Sequence, residues 1–162
     1  MHIRAATAVD TPQILGMIHA LAEYERLAHI MVATEDALRS SLFGPRPAAT
    51  VILAFEAASP TTCQGFALFF PNYSTFLAQP GLYLEDLFVK PEARGRGIGR
   101  ALLTRLAGIA VERGYGRVEW SVLDWNHPAI GFYKKLGAAS MDEWTTFRLT
   151  GDALSRLAAA ES

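Results

Sequence analysis

Apolar residues recur along this chain with two different spacings, which predict alternating strands and helices. Ile98, Leu102, Leu106 and Ala110 follow one another at four-residue intervals, and this spacing predicts a long amphipathic helix that ends at Gly114. Shorter apolar runs predict strands at residues 2–6, 51–55, 65–70, 82–89, 117–123 and 143–149. Further helices are predicted from residue 10 to about residue 27, and over 35–43, 128–137 and 152–160.

Capping residues and chain breakers set the boundaries between these elements. Asp10 is placed to cap the first helix, with Gln13 at the capping-box distance, and Thr34 is placed to cap the second. Residues 59–62 are predicted to form a turn and residues 72–76 a loop. The sequence shows no internal repeat and no linker, so residues 1–162 are predicted to form one α+β domain around a mostly antiparallel sheet.

A glycine-rich segment joins the strand at 82–89 to the long helix. Lys90 and Pro91 stop the strand, because proline has no N–H for the sheet ladder. The segment Arg94-Gly95-Arg96-Gly97-Ile98-Gly99 follows, and the helical pattern starts within it. Glycines let several backbone N–H groups converge, and a helix start adds unpaired amides and the positive end of its dipole. The segment therefore predicts an anion-binding loop, to which Arg94, Arg96 and Arg100 add positive charge.

The spacing of the glycines narrows the choice of anion. A P-loop would need Gly-Lys-Ser/Thr, which is absent, and a dinucleotide fingerprint would place its third glycine one residue later. The segment instead resembles the Arg-x-x-Gly-x-Gly pyrophosphate loop of the GCN5-related N-acetyltransferases, the GNAT family. Tyr83-Leu84-Glu85-Asp86-Leu87-Phe88-Val89 and Asn126-x-Pro128…Phe132-Tyr133 are similar to the diamine (spermidine/spermine) acetyltransferase branch. The resemblance extends from residue 3 to residue 149 and implies the GNAT fold, a mixed sheet with helices on both faces.

Composition is compatible with this resemblance and argues against some other classes of protein. The net charge is −1 at pH 7, so a general polyanion-binding surface is not expected. The hydrophobic fraction of 51% is typical of a globular protein. The chain has no run of about 20 apolar residues that could span a bilayer, and residues 1–4 do not resemble a signal peptide. The single Cys63 favours a reducing compartment, and a cytoplasmic location is predicted. The four histidines lack the spacing of metal ligands, so no metal is expected.

Acetyl transfer to an amine makes its own chemical demands. An alkylamine with a pKa of about 10.4 is almost wholly protonated at pH 7, so a proton must be removed before it can attack. Glu85 precedes the predicted pyrophosphate loop and is the candidate to bind the ammonium and relay its proton; the alternative is a solvated carboxylate. In the resembled family, a tyrosine at the place of Tyr133 is the general acid for the leaving thiolate. The alternative for Tyr133 is a core aromatic beside Phe132.

The resemblance also implies binding roles for other residues, each at the matching position. Acetyl-CoA is the implied co-substrate, and the residues that would hold it are Leu87, Phe88, Val89, Arg94, Gly95, Arg96, Gly97, Ile98, Gly99, Arg100, Asn126, Pro128 and Tyr133. The residues that would line the amine pocket are Tyr24, Glu25, Glu85, Asp86, Glu119, Trp120, Ser121, Glu143 and Trp144. Their carboxylates and aromatic rings suit a cationic amine. The branch is also homodimeric, which implies a homodimer here, with no nucleic-acid or membrane partner.

Three departures from the branch leave the acceptor open. Ser74 stands where the eukaryotic polyamine enzymes carry an acid, Phe76 where they carry tryptophan, and His127 where an acid usually follows the asparagine. A diamine or polyamine therefore remains one interpretation, and a thialysine-like amino acid is another. A protein or peptide amine, or a non-catalytic CoA-binding module on the same fold, are the remaining alternatives.

Overall fold

The computed structural model describes residues 1–57 and 59–160, with Ser59 described in its backbone alone. The chain forms two compact units, Met1–Ser121 and Val122–Ser162. The elements of the first unit are β1 (His2–Ala5), α1 (Thr11–Tyr24), α2 (Glu35–Phe43), β2 (Thr50–Glu56), β3 (Ser59–Ser74), β4 (Gln79–Val89), α3 (Ile98–Glu112) and β5 (Val118–Trp120). Short 3₁₀ turns lie at Ala8–Asp10, Ala28–Ile30 and Pro91–Ala93. The second unit contains α4 (His127–Lys135) and α5 (Gly151–Ala159).

The strands form one mixed sheet in the order β1-β2-β3-β4-β5. The first three pairings are antiparallel, and β4 pairs with β5 in parallel. A parallel neighbour requires a crossover, and α3 provides it between β4 and β5. The predicted mostly antiparallel sheet of the α+β class is thus confirmed.

Alternation along the strands gives the sheet two apolar faces. On one face, Phe66 and Phe88 belong to a buried cluster with Ile14 and Met17 of α1 and Leu42 of α2. The other face packs against α3. A Cβ built on Gly65 would lie 3.0 Å from Ile98 Cγ2, so β3 and the start of α3 are in close contact there.

The predicted bounds of α2 and the predicted end of α3 agree with the structure, and the predicted end of α1 does not. The prediction of α2 over residues 35–43 is confirmed, including its cap, in which Ala37 N donates to Thr34 Oγ1. The long helix ends as predicted, with Gly114 at a φ of +67°. The first helix ends at Tyr24 and not near residue 27, because Arg26 takes a left-handed conformation with a φ of +62°.

The predicted capping box of α1 is wrong. Asp10 lies at the N-cap position but makes no side-chain cap. Its carboxylate instead accepts two hydrogen bonds from Arg4, at 2.7 and 2.8 Å, and two more from the backbone N–H and hydroxyl of Thr7. Gln13 is also used elsewhere, since its Oε1 accepts from the backbone N–H of Cys63. Both polar residues therefore join α1 to the sheet or to the preceding turn.

Three predicted boundaries of strands and loops are also wrong, and one predicted strand is not observed among the described residues. Residues 59–62, predicted as a turn, begin β3, and Asn72–Ser74, predicted as loop, are its last three residues. The strand predicted over 117–123 is only Val118–Trp120. Residues 143–149, predicted as a strand, are not in a strand in the part of the chain that the structure describes. An isolated extended segment has no ladder to define it as a strand, and this segment has no partner strand within its described chain.

Candidate active site

The middle of β4 contains a β-bulge that places two carboxylates side by side. Leu68 of β3 pairs with Asp86, while the next residue, Phe69, pairs with Leu84. Glu85 is therefore the extra residue, without a partner in the ladder. Its side chain is exposed, whereas that of Asp86 is half-buried.

The same part of β4 has an edge without a neighbouring strand. The described ladder between β4 and β5 covers Leu82 to Leu84 only. Lys90 N donates to Gln64 O, which fixes the alternation of hydrogen bonds towards β3. By this alternation, Phe88 pairs with Phe66 through backbone bonds, and the backbone groups of Leu87 and Val89 point to the open edge. An amide-containing ligand could add to this edge as a strand does.

Asp86 lies on the face of the sheet that α1 covers. It is opposite Leu68, whose side chain belongs to the cluster with α1, and directly opposite residues share a face. Burial, followed by the charges of Glu85 and Glu25, raises the pKa of Asp86 from its ordinary 3.8 to about 6. Burial also raises the pKa of Glu25, which follows the last residue of α1. Three carboxylates of the predicted amine pocket thus lie close enough to interact.

Tyr24, at the end of α1, contacts the end of β4 and the segment that follows it. The centroid of its ring lies 6.3 Å from that of Phe88 and 4.5 Å from Arg94 Cζ. Arg94 Nε donates to the carbonyl of Val89 at 3.0 Å. Arg94 therefore closes one backbone acceptor at the open edge and stacks on the predicted amine pocket.

The predicted pyrophosphate loop has the conformation that its glycines allow. Gly95 and Gly97 have φ values of +77° and +81°, in the left-handed region that favours glycine. Gly97 is the N-cap of α3 and offers no side chain to the first-turn amides of that 15-residue helix. A concave surface of about 610 Å³ begins at Gly97 and continues past Arg100 along α3. The loop thus presents unpaired N–H groups and the helix dipole to an anion.

Two of the residues in and directly after β5 that were assigned to the amine pocket, Glu119 and Ser121, bond to side chains of β3 and β4. Glu119 Oε2 accepts from Asn72 Nδ2 at 2.8 Å and lies 2.9 Å from Arg117 Nε. Asn72 reaches β5 across β4 where β4 has Gly81, and a Cβ there would lie 2.6 Å from Asn72 Oδ1. Ser121 Oγ lies 2.9 Å from the hydroxyl of Tyr83. Trp120 between them is half-buried.

The second unit places its predicted residues around α4. Asn126 is buried and caps the helix, since its Oδ1 accepts from the backbone N–H of Ala129. Pro128 lies in the first turn, where its missing N–H costs nothing. Tyr133 is half-buried, with its ring centroid 5.4 Å from that of Phe132. Glu143 and Trp144 are exposed.

Sequence reasoning missed two features of this site. The bulge leaves no pattern in the sequence, so Asp86 was not distinguished from Glu85 as a carboxylate of raised pKa. The engagement of Arg96 with Glu56, at 2.8 Å, joins residues 40 positions apart and has no local signal. Within residues 1–57 and 59–160, no group of three or more His, Cys, Asp or Glu residues is arranged to hold a metal ion. No helix in that same part of the chain is long and apolar enough to cross a membrane.

Comparison with known proteins identifies the family. Residues 14–138 match the model of the acetyltransferase (GNAT) family. The chain belongs to the GNAT family. Two curated relatives of this GNAT chain are L-ornithine N5-acetyltransferase of Arabidopsis thaliana and thialysine N-epsilon-acetyltransferase of Sus scrofa. The first is 41% identical, over 96% of this chain and 86% of its own. The second is 39% identical, over 96% of each chain.

A solved structure agrees with the assignment of the fold. An integron cassette protein from the mobile metagenome of V. cholerae superposes with a TM-score of 0.81 and 28% identity, over 98% of each chain. The predicted GNAT fold and the resemblance to the diamine acetyltransferase-like branch are therefore confirmed. The chain is an acetyltransferase, and enzymes of this family take their acetyl group from acetyl-CoA.

Proposed function

We propose that this GNAT enzyme transfers the acetyl group of acetyl-CoA to a primary amine of a small cationic acceptor. The observation that carries the proposal is the position of Glu25, Glu85 and Asp86. The charges of Glu85 and Glu25 both act on Asp86, which lies in β4 beyond its ladder with β5 and shortly before the proposed anion-binding loop. An acceptor bound near them would meet a negative site next to the acetyl donor.

The loop and the strand edge would hold acetyl-CoA, which supplies an activated thioester. The N–H groups of residues 95–99 and the side chain of Arg100 suit its pyrophosphate. The outward backbone groups of Leu87 and the outward N–H of Val89 suit the amides of its pantetheine arm, since the carbonyl of Val89 already accepts from Arg94. By the family resemblance, Asn126 and Pro128 would also contact that arm. The residues present therefore fit the co-substrate.

Asp86 and Glu85 have different parts in our proposal for the amine. Asp86 has a pKa of about 6, so near neutral pH it is largely ionised yet holds a proton more readily than an ordinary carboxylate. Glu85 is exposed beside it and is proposed to hold the ammonium group and relay its proton, directly or through water. Tyr24 would face the cation with its ring.

Tyr133 is proposed as the general acid. The family resemblance assigns a tyrosine at this position to the leaving thiolate, and a phenol with a pKa of about 10 can donate a proton to it. Donation at the moment of C–S cleavage would leave a neutral thiol. The experiment that removes only the hydroxyl, Tyr133→Phe, is described in the Discussion.

Among small amines, we favour the side-chain amine of a diamino acid. The similar enzymes from Arabidopsis thaliana and Sus scrofa are named for ornithine and thialysine. Ser74, in place of an acid, is buried and accepts from the backbone N–H of Leu77, so it supports the turn after β3. Phe76 is exposed. Neither residue supplies a carboxylate for the second charge of a polyamine.

A homodimer is proposed for the assembly, formed through the second unit. Residues 143–149 carry three large apolar side chains, Trp144, Phe147 and Leu149, and are not in a strand in the described part of the chain; Trp144 and Phe147 are 72% and 92% exposed. Leu154 and Leu157 of α5 are exposed as well. Two aromatic side chains bury about 150–250 Å² each, a good part of the roughly 800 Å² that each partner of a stable pair covers. Phe147→Glu should give a monomer in light scattering at micromolar concentration, and Val32→Glu, at an exposed site of the first unit, should leave a dimer.

A substrate screen tests the proposed function. Acetyl-CoA turnover would be measured with L-ornithine, thialysine, spermidine, spermine and a lysine-containing peptide at equal concentration. We expect the highest kcat/KM for one of the two diamino acids. A preference for the peptide would overturn the assignment to small amines. Binding of acetyl-CoA without turnover of any of these amines would indicate a non-catalytic module.

A further inference from the structure

Arg96, in the middle of the pyrophosphate loop, has both ends of its guanidinium bound within the protein. Nη1 donates to Glu56 Oε2 at 2.8 Å, and Nη2 donates to the carbonyl of Glu92, also at 2.8 Å. On either side of Arg96 the backbone turns at a left-handed glycine. Glycine has more backbone freedom than any other residue, so Gly95 and Gly97 alone do not restrain the segment. The two hydrogen bonds of the Arg96 side chain do restrain it.

Glu56, which holds one end of Arg96, comes from a different part of the fold. It is the last residue of β2, after two register shifts in the β2–β3 ladder that follow Ala54 and Phe55. Its side chain is 22% exposed, against 56% for that of Arg96. The carboxylate is thus partly shielded from water, which makes its attraction for the guanidinium stronger than that of a fully exposed pair.

We propose that Glu56 is a positioning residue of the pyrophosphate loop, acting through Arg96. The pair holds the loop so that the N–H groups of residues 95–99 already point at the anion site before the co-substrate arrives. A preformed loop loses less conformational freedom on binding, so the affinity for the pyrophosphate rises. The inference rests on the proposed function and adds Glu56 to it.

The other two arginines of the segment support this division of labour. Arg94 is held by Val89 and Tyr24, as described above. Arg100 is exposed and lines the concave surface that begins at Gly97, and its side chain has no hydrogen bond or ion pair in the described part of the chain. Arg96 therefore shapes the loop, and Arg100 supplies the charge that meets the phosphates.

Glu56→Ala tests the role with two acetyl donors. S-acetylpantetheine lacks the pyrophosphate, so it does not use the loop. We expect the KM for acetyl-CoA to rise about fivefold, the gain of a partly exposed ion pair, with kcat unchanged. The kcat/KM for S-acetylpantetheine should stay at the wild-type value. Glu56→Gln keeps an acceptor oxygen without the charge and should recover part of the affinity.

Glu112→Ala is the matched control. It removes another arginine–glutamate pair, Arg105 with Glu112 at 2.9 Å, at the far end of α3. This variant should keep the wild-type KM for both donors. Thermal unfolding of every variant would be recorded; if Glu56→Ala does not fold, the comparison of donors is made with Glu56→Gln.

A double substitution shows whether Arg96 acts by holding the loop through Glu56 or by contacting the pyrophosphate itself. If Arg96 acts only through the loop, Arg96→Ala and Glu56→Ala have similar effects, and the double variant is no worse than either. A lower KM in Glu56→Ala would mean that a released Arg96 binds the pyrophosphate itself, and would overturn the proposal. An equal loss with S-acetylpantetheine would overturn it as well. Calorimetric binding of CoA gives the same comparison if the wild-type enzyme acetylates no amine, in which case the proposed function fails and the role of Glu56 is still decided.

Discussion

The guanidinium of Arg94 stacks on the ring of Tyr24, with Cζ 4.5 Å from the ring centroid. Arg94 begins the proposed pyrophosphate loop, and Tyr24 ends the helix that precedes Glu25, whose charge acts on Asp86. One cation–π contact therefore connects the loop proposed for the co-substrate with the residues proposed for the acceptor. Loss of the ring should affect the binding of both.

Tyr24→Leu tests this connection. We expect the KM for acetyl-CoA and the KM for the amine each to rise about three- to fivefold, because an exposed cation–π contact contributes about 0.5–1 kcal/mol. Tyr24→Phe keeps the aromatic face and should keep most of the affinity for acetyl-CoA. Steady-state kinetics with each substrate varied in turn would measure both effects. An unchanged KM for acetyl-CoA in Tyr24→Leu would show that the contact between Tyr24 and Arg94 does not affect the binding of acetyl-CoA.

The raised pKa of Asp86 predicts the acidic limb of the pH–rate profile. If the ionised form is the active one, kcat/KM should fall as the pH drops below about 6. Of the two neighbouring carboxylates, Glu85 has the larger effect on the pKa of Asp86. Glu85→Gln removes its charge, so this pKa should decrease and the acidic limb should move to lower pH. Glu25→Gln should move it in the same direction by less. A limb that stays in place in both variants would exclude Asp86 as its cause.

The same pKa has a consequence for stability. The folded pKa of Asp86 lies above the unfolded value of 3.8, so the folded state binds the proton more tightly. The contribution is therefore favourable at low pH and is lost as the pH rises from about 4 to about 6. Asp86→Asn should raise the melting temperature at pH 7.5 while it lowers activity, since the cost of burying the charge of Asp86 disappears, together with its repulsion by Glu85 and Glu25. Calorimetry at pH 7.5 would measure the shift, and a lower melting temperature would contradict it.

Asp10 shows the opposite dependence on pH. The hydrogen bonds from Arg4 lower its pKa from 3.8 to about 2, and those from Thr7 act in the same direction. Its stabilising contribution is thus complete above about pH 4 and is lost as the pH falls towards 2. Asp10→Asn should cost about 2 kcal/mol of unfolding free energy at pH 7, from the loss of a shift of this size, and much less at pH 2. Urea unfolding at the two pH values would show whether the loss depends on pH in this way.

The amphipathic stripes of α2 and α3 and the glycine loop could be predicted from the sequence because their signals are local. Thr34, Gly97 and Gly114 act on the residues beside them, and the structure has them where the sequence placed them. The bulge at Glu85 could not be predicted, since it depends on how β3 pairs with β4. The strand expected over residues 143–149 failed for a related reason, because the apolar residues of a segment show that it can pair but not that a partner exists.

A side chain at Gly97 would carry two different costs, one in the backbone and one in the binding of acetyl-CoA. No atom of the described chain lies within 4 Å of a Cβ built on this residue, so the protein itself has room for one. The backbone does not favour it, because a φ of +81° costs an L-residue about 1–2 kcal/mol. Gly97→Ala should therefore lower the unfolding free energy by about 1 kcal/mol and also weaken acetyl-CoA, whose pyrophosphate would meet the new methyl group. Calorimetric titration would show the second effect; an unchanged affinity would exclude the loop as the pyrophosphate site.

Tyr133→Phe tests the proposed general acid. The ring stays beside Phe132, so α4 should keep its packing. Loss of a proton donor should lower kcat about 10²- to 10⁴-fold, with a smaller change in the KM for acetyl-CoA. The basic limb of the pH–rate profile should also change, because it would report ionisation of the phenol. A near-normal kcat would mean that water or the departing ammonium proton protonates the thiolate.

The bulge at Glu85 also affects how this enzyme can be redesigned. A residue outside the ladder can change size or charge without shifting the strands on either side, whereas deleting it would make the pairing continuous, with Leu84 opposite Phe69 and Asp86 still opposite Leu68, and would remove the Glu85 carboxylate. Libraries that vary the acceptor should therefore randomise position 85 and preserve the length of β4. Substitution there would explore new amines on an unchanged scaffold, whereas a single-residue deletion would remove the position that can be varied.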